Sequence, residues 1–167
     1  MNAPSYITAA SPGAIGGVNI AAFCYMLSVS EGTDNGRQST KCHGYDVIVG
    51  GGNFTDFGKH PRLLVTLNSK GLKSTAAGRY QFIASTWDDL AKRLKLTDFS
   101  PVSQDLACVE LLKQCGAYNL LRACRFDDAL KAARNLWASL PGAGYGQYEQ
   151  KTETLRAAYI AAGGTAI

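Results

Sequence analysis

One carboxylate stands at an abrupt change of texture in this chain. In Val29-Ser30-Glu31-Gly32-Thr33-Asp34-Asn35-Gly36 an apolar run of helical period gives way at once to glycine. A carboxyl at such a point sits half in the protein interior and half toward a cleft. Desolvation disfavours its charged form and lifts its pKa from about 4.3 toward about 6 to 7, where a general acid works near neutrality. The same position also suits an ordinary solvated helix terminus, so the company Glu31 keeps has to decide.

Glycoside cleavage commonly uses two carboxylates about 5 to 9.5 Å apart, one an acid and the other a nucleophile or base. The chain has thirteen Asp and Glu residues from which a partner could come. Asp34 lies three positions on, but Gly32 breaks the helix between them, and Asp34-Asn35-Gly36 also reads as a turn. Asp46 and Asp56 fall in a β-prone region. Asp56 suits a hairpin, which leaves Asp46 the stronger contender. A single Glu serving first as acid and then as base removes the need for a partner.

Substrate contacts are sought among aromatic and polar side chains. Tyr45, Tyr80 and Tyr145 could each offer a ring face to a sugar and a hydroxyl to its oxygens. Tyr145, between glycines, has least reason to be core, whereas Tyr45 in a strand also fits packing. Gln81 could hydrogen-bond an amide group of a ligand or tie sheet to helix. Arg79 could pair with substrate carboxylates or form a structural salt bridge. Trp87 and Trp137 fit core positions on helix faces. Ser30 has no neighbouring base for a serine-hydrolase arrangement. Cys42-His43 with His60 has the wrong spacing for zinc, so no metal and no cofactor is expected.

These residues need a scaffold, and 167 residues with 46% apolar content suit a single domain with a full core. Eighteen glycines indicate tight turns or loops that approach a ligand closely. A net charge of +4 weakly favours an anionic polymer as partner, but no dense basic stripe with interleaved aromatics points to nucleic acid. Five cysteines without a CxxC pair argue against a disulfide framework and for folding in a reducing compartment.

Residues 1–18 read as a flexible arm and 19–167 as the catalytic domain. The first helix is expected over 19–30, with Asn19 as N-cap, Gly32 as its stop, and Ile20, Phe23, Cys24 and Leu27 on the core face. Residues 45–49 read as a strand, 50–53 as a turn, 54–57 as the return strand and 63–67 as a third strand, followed by a polar linker over 68–75. Helices follow over 85–94, opened by a Ser85/Asp88 capping box, and over 100–115, opened by Ser100-Pro101. Further helices are expected over 117–124, 127–140 and 148–162. The class is α+β, a helical bundle with a small antiparallel β-meander flanking an active-site cleft. Residues 1–30 carry no formal charge, yet the apolar part, 18–29, is too short to span a bilayer and lacks a basic leader; an unusual uncleaved export signal is the alternative.

The order of elements, a Glu closing the first helix just before the sheet, is that of lysozyme-like folds, and longer segments narrow the resemblance. Ser30–Gln38, His43–Gly51, His60-Pro61-Arg62, Leu64–Asn68, Gly78-Arg79-Tyr80-Gln81 and Asn135–Gln147 resemble the endolysins of the phage lambda type, over nearly everything from Phe23 to Thr165. The resemblance implies a lytic transglycosylase that cuts the β-1,4 bond between N-acetylmuramic acid and N-acetylglucosamine of peptidoglycan and leaves a 1,6-anhydromuramoyl end. It maps the family's essential acid onto Glu31 and two lips over the groove onto 54–75 and 142–150. It implies a monomer made in the host cytoplasm that acts on the periplasmic wall, for cell lysis, once the membrane is permeabilised. A hydrolytic muramidase using Glu31 with Asp46 or Asp34, and a non-catalytic peptidoglycan-binding module, are the competing expectations.

Overall fold

Helix α2 (Val18–Glu31) runs through the middle of the molecule because it is apolar nearly all round. Ile20, Phe23, Cys24 and Leu27 are buried as their spacing requires, and Ala21, Ala22 and Met26 are buried on the remaining faces. The computed structural model describes residues 2–146 and 148–167; Met1 of the arm and Gln147 of the expected glycine-tyrosine loop lie outside the described residues. Gly17 occupies the N-cap of α2. Asn19, expected there, instead donates from Nδ2 to the Leu121 carbonyl and accepts from the Thr165 amide, tying the helix start to two distant segments. At the other end Gly32 takes the left-handed conformation (φ 70°) and closes the helix directly behind Glu31.

The α+β expectation holds, with shorter strands than the sequence pattern suggests. Strand β1 (Val47–Ile48) pairs antiparallel with β2 (Gly52–Asn53), and β3 (Val65–Thr66) pairs with β4 (Lys73–Ser74). The return strand falls at 52–53 because Gly50 and Gly51, both at positive φ, make the turn within 49–51. Part of the expected linker is strand β4, whose partner is the third strand. Bridges from Ala77 to Ile48 and to Phe82 carry β1 toward the turn at 78–81.

The helices pack around α2. Helix α3 (Ala84–Leu94) has no side-chain N-cap: the Ala84 amide donates to Thr75, and Asp88 faces outward to pair with Arg62, so the Ser85/Asp88 box does not form. Helix α4 (Pro101–Gln114) starts as expected, with Ser100 accepting from the Ser103 amide. Helix α5 (Ala117–Arg122) precedes α6 (Phe126–Ala133), which ends well short of residue 140. The segment beyond α6 is held instead by Trp137, whose Nε1 donates to the Tyr80 carbonyl at 3.0 Å. Helix α7 (Thr152–Ala161) lies against α2 and begins four residues later than expected.

The N-terminal arm packs against the rest of the molecule. Ala10 and Ile15 enter the same hydrophobic core as α2, and a short helix α1 (Pro12–Ile15) is capped by Ser11. The Ala9 amide donates to the Tyr45 hydroxyl and the Ala10 amide to Asp105. The arm is rich in small and apolar residues and carries no charge, so docking it removes apolar surface from water without desolvating a charged side chain of its own.

Candidate functional site

Glu31, the last residue of α2, lines the base of a cleft of about 620 Å³. Its carboxyl accepts a hydrogen bond from the Ser139 hydroxyl at 2.6 Å. Ser139 and Ser30 hydroxyls lie 2.8 Å apart. Because the one Ser139 proton is given to Glu31, Ser30 must donate to Ser139, and the three groups form a directed chain. Burial pushes the Glu31 pKa up to about 7, and the Ser139 hydrogen bond opposes that rise. The group therefore divides between acid and base near neutrality.

The opposite wall is the β1–β2 turn, Val49-Gly50-Gly51, together with Arg37, Gln38 and Ser39. Gln81 enters from the turn at 78–81 with a left-handed backbone (φ 53°), a conformation that costs a non-glycine residue about 1 kcal/mol or more. Its amide nitrogen donates to the Gly78 carbonyl at 2.8 Å, and its side-chain oxygen has no hydrogen-bond partner among the described residues. Tyr148, 70% exposed, closes the rim from the segment after the glycine-rich loop. Behind that rim Glu149 accepts from the Gly142 and Gly144 amides, which fixes the loop's curvature and holds the Glu149 pKa below its ordinary value. From the two expected lips the described cleft lining thus includes Tyr148 of 142–150 and no residue of 54–75.

Of the side chains expected to touch substrate, Gln81 reaches the cleft with Glu31, and the five others do not line it. Tyr45 and Tyr80 are buried and both donate to Asp105 Oδ1, at 2.7 and 2.6 Å. Arg79 is fully buried: it donates to Asp34 at 2.7 Å, to the Ile7 carbonyl at 2.9 Å and to the His43 carbonyl. Asp46 is buried and accepts from the Thr40 hydroxyl and the Lys41 amide. The structure places all four in the interior and outside the described cleft lining, for one physical reason. A buried polar group needs internal partners, and among the described residues each of these side chains has them, Arg79 Nε alone excepted. Tyr145 is exposed, but its hydroxyl donates to the Asn135 carbonyl and it does not line the cleft; Tyr148 does so in its place.

The residues missed from sequence are Arg37, Gln38, Ser39, Ser139 and Tyr148. Ser139 is 108 positions from Glu31, so no local spacing joins them. Tyr148 lies within the lip that the resemblance maps onto 142–150, but as a single residue it reads from sequence only as the start of a helix. Trp87 and Trp137 are core, as expected. No group of three or more His, Cys, Asp or Glu able to hold a metal exists among the described residues.

The geometry can be set beside known proteins. A family model described as Endolysin matches residues 21–166. The endolysin of Escherichia phage lambda is 56% identical over 144 residues, covering 86% of this chain and 90% of that one. The endolysin of Escherichia phage P2 is 48% identical over 155 residues, covering 87% and 93%. Bacteriophage lambda lysozyme in complex with a chitohexasaccharide superposes with a TM-score of 0.86 at 53% identity, covering 90% of this chain and 97% of that one. A second structure of that lysozyme gives a TM-score of 0.82 at 52% identity, with the same coverage. The lysozyme-like fold is therefore shared.

Proposed function

This chain belongs to the endolysin family, and on that premise we propose that it is a peptidoglycan lytic transglycosylase with Glu31 as its only acid and base. The observation that carries the reading is that Glu31 is the one carboxylate among the described residues lining the cleft. A two-carboxylate hydrolase needs a partner across the sugar. Asp34 is committed to the buried Arg79, and Asp46 is enclosed by Thr40 and the Lys41 amide. Neither lines the cleft.

The reaction then runs through one group used twice. Protonated Glu31 gives its proton to the oxygen linking N-acetylmuramic acid to N-acetylglucosamine, and the bond from that oxygen to the muramoyl C1 breaks. The muramoyl acetamido oxygen attacks C1 from its own ring and forms an oxazolinium-like intermediate. Glu31, now a carboxylate, takes the proton of the C6 hydroxyl as O6 attacks C1 and displaces the acetamido oxygen. The 1,6-anhydro ring closes and Glu31 is again protonated, ready for the next strand. A pKa near 7 suits both half-reactions. No water enters the balance, so a cleft that narrows around the sugar protects the intermediate.

The expected partner is the glycan strand of the wall. The related lambda lysozyme was seen with a chitohexasaccharide, a β-1,4-linked polymer of the same sugar class. Among the described residues no helix is long and apolar enough to cross a membrane. We place synthesis in the host cytoplasm and action, as a monomer without nucleic acid, on the periplasmic wall after membrane permeabilisation.

Digestion of purified sacculi in ¹⁸O-enriched water tests the chemistry. Muropeptides lacking both the heavy oxygen and a reducing muramic end support the proposal. Heavy oxygen at the new end would instead establish a hydrolytic muramidase. A Glu31→Gln protein that still solubilised wall would remove Glu31 from the reaction altogether.

A further inference from the structure

Two residues outside the cleft hold both partners of the Glu31–Ser139 hydrogen bond. On the Glu31 side, the Thr33 hydroxyl donates to the Arg79 carbonyl at 2.7 Å, and the Arg79 guanidinium holds Asp34 at 2.7 Å. On the Ser139 side, Trp137 donates to the carbonyl of Tyr80. Arg79 and Tyr80 are adjacent in sequence, so one dipeptide fixes the turn after Glu31 and the segment that carries Ser139. Gly78 makes the dipeptide's position possible: a Cβ there would fall 2.3 Å from Gln104 Oε1 and 2.9 Å from Phe99. Gln104 also accepts from the Arg79 amide at 2.9 Å.

The N-terminal arm completes this bracket. The Ile7 carbonyl accepts from Arg79 Nη2, and the Tyr6 ring lies 5.5 Å from the guanidinium carbon while stacking on His43 with ring centroids 3.9 Å apart. Ala9 and Ala10 bond Tyr45 and Asp105, the residues on which Tyr80 rests. The family match begins at residue 21, so these arm contacts lie outside it. Without the arm, a guanidinium with no exposed surface would lose one acceptor and one aromatic face. Its Nε already lacks a partner among the described residues. A buried cation stripped in this way draws in water or shifts its neighbours.

We infer that arm residues 6–10 and Arg79 are positioning elements of the active site, clamping the turn behind Glu31 and the Ser139 segment in register. None touches substrate; they act by keeping the helix end closed around the carboxyl. The inference rests on the reading of Glu31 as the acid. Release of the clamp lets water reach Glu31 and lowers kcat, while the cleft walls that bind the glycan, at Gly50-Gly51 and Tyr148, keep their geometry.

The test removes residues 2–10 and measures wall solubilisation across pH, beside wild type and Glu31→Gln. With a cooperative melt retained, kcat falls at least tenfold, KM stays within about twofold, and the alkaline limb moves at least half a unit toward the ordinary carboxylate range. A peptide of residues 2–11 added in trans restores part of each. His43, 3.9 Å from Asp34, and Arg37, in the cleft, are the other basic side chains facing this turn among the described residues besides Arg79. His43→Asn is carried as a control, and the limb must still move in its background. Full-length Tyr6→Ala and Arg79→Lys give the same readouts if the truncated chain does not fold, with kcat falls of about threefold or more. A change in melting temperature alone, with kcat and the pH limb unmoved, overturns the inference. Full lysis by Glu31→Gln would overturn the functional reading instead.

Discussion

Replacing Ser139 with alanine isolates the one hydrogen bond made to the Glu31 carboxyl among the described residues. Ser139 donates at 2.6 Å to a carboxyl whose pKa is about 7 even with that bond in place. A hydrogen bond to a charged acceptor is worth about 1.5 to 3 kcal/mol, and one pKa unit is about 1.36 kcal/mol, so its loss raises the pKa by about one to two units. Water entering beside the new methyl group returns part of this, which leaves a rise of about one unit as the expectation. The first half-reaction needs protonated Glu31. The alkaline limb of kcat/KM therefore moves from near pH 7 to near pH 8.

The plateau falls at the same time, by about tenfold, because a weaker acid transfers its proton less readily. The assay is release of soluble muropeptides from purified sacculi between pH 5 and 9, with Ser139→Thr as the variant that keeps the hydroxyl. Ser30→Ala is informative beside it. It removes only the donor to Ser139, so its limb moves the same way by a smaller amount. A Ser139→Ala limb that stays within about 0.3 units of wild type, or moves down, refutes the account of how Glu31 is tuned. The direction also separates this change from release of the clamp: losing the donor moves the limb up, whereas losing burial moves it down.

Folding raises the Glu31 pKa from 4.5 to about 7, so the stability linked to its proton is fully present below about pH 4.5 and lost as pH rises through 7, a total of about 3 kcal/mol. Glu31→Gln should accordingly raise the urea midpoint at pH 8 by an amount corresponding to at most that figure, and change it little at pH 4; equal effects at both pH values would refute the linkage. Tyr80→Phe removes one of three donors to the buried Asp105 and should cost about 1 to 3 kcal/mol of stability with KM for glycan unchanged, as measured by denaturant unfolding and kinetics. A raised KM would return Tyr80 to the cleft. Tyr148→Ala should weaken binding of a chitooligosaccharide by about 1 kcal/mol or more in calorimetry, whereas Tyr145→Ala should change it by less than half of that.

What was legible in the sequence, and what was not, divides along chain distance. The end of α2 could be read because its causes are local: apolar spacing, then Gly32, with Glu31 between them. The start of α4 is legible for the same reason, in Ser100-Pro101. Asn19 and Asp88 carry equally good local signals for capping, yet each is drawn away by a partner far along the chain, Leu121 and Thr165 for the first and Arg62 for the second. Tyr45, Tyr80 and Arg79 show how the same effect misleads a search for a site. Residue type alone makes them fit to bind sugar, but Asp105, Asp34 and the arm claim their polar atoms in the interior. The polar side chains that remain for a ligand include those the fold leaves on the cleft walls, Gln81, Tyr148 and the 37–39 segment. Which these are follows from the whole set of buried pairings rather than from any one stretch of sequence. That is why an uncharged arm, unremarkable as a sequence and outside the matched family region, bears on the acid at position 31: it supplies the last internal partners that a buried guanidinium needs before the cleft above it can keep one shape.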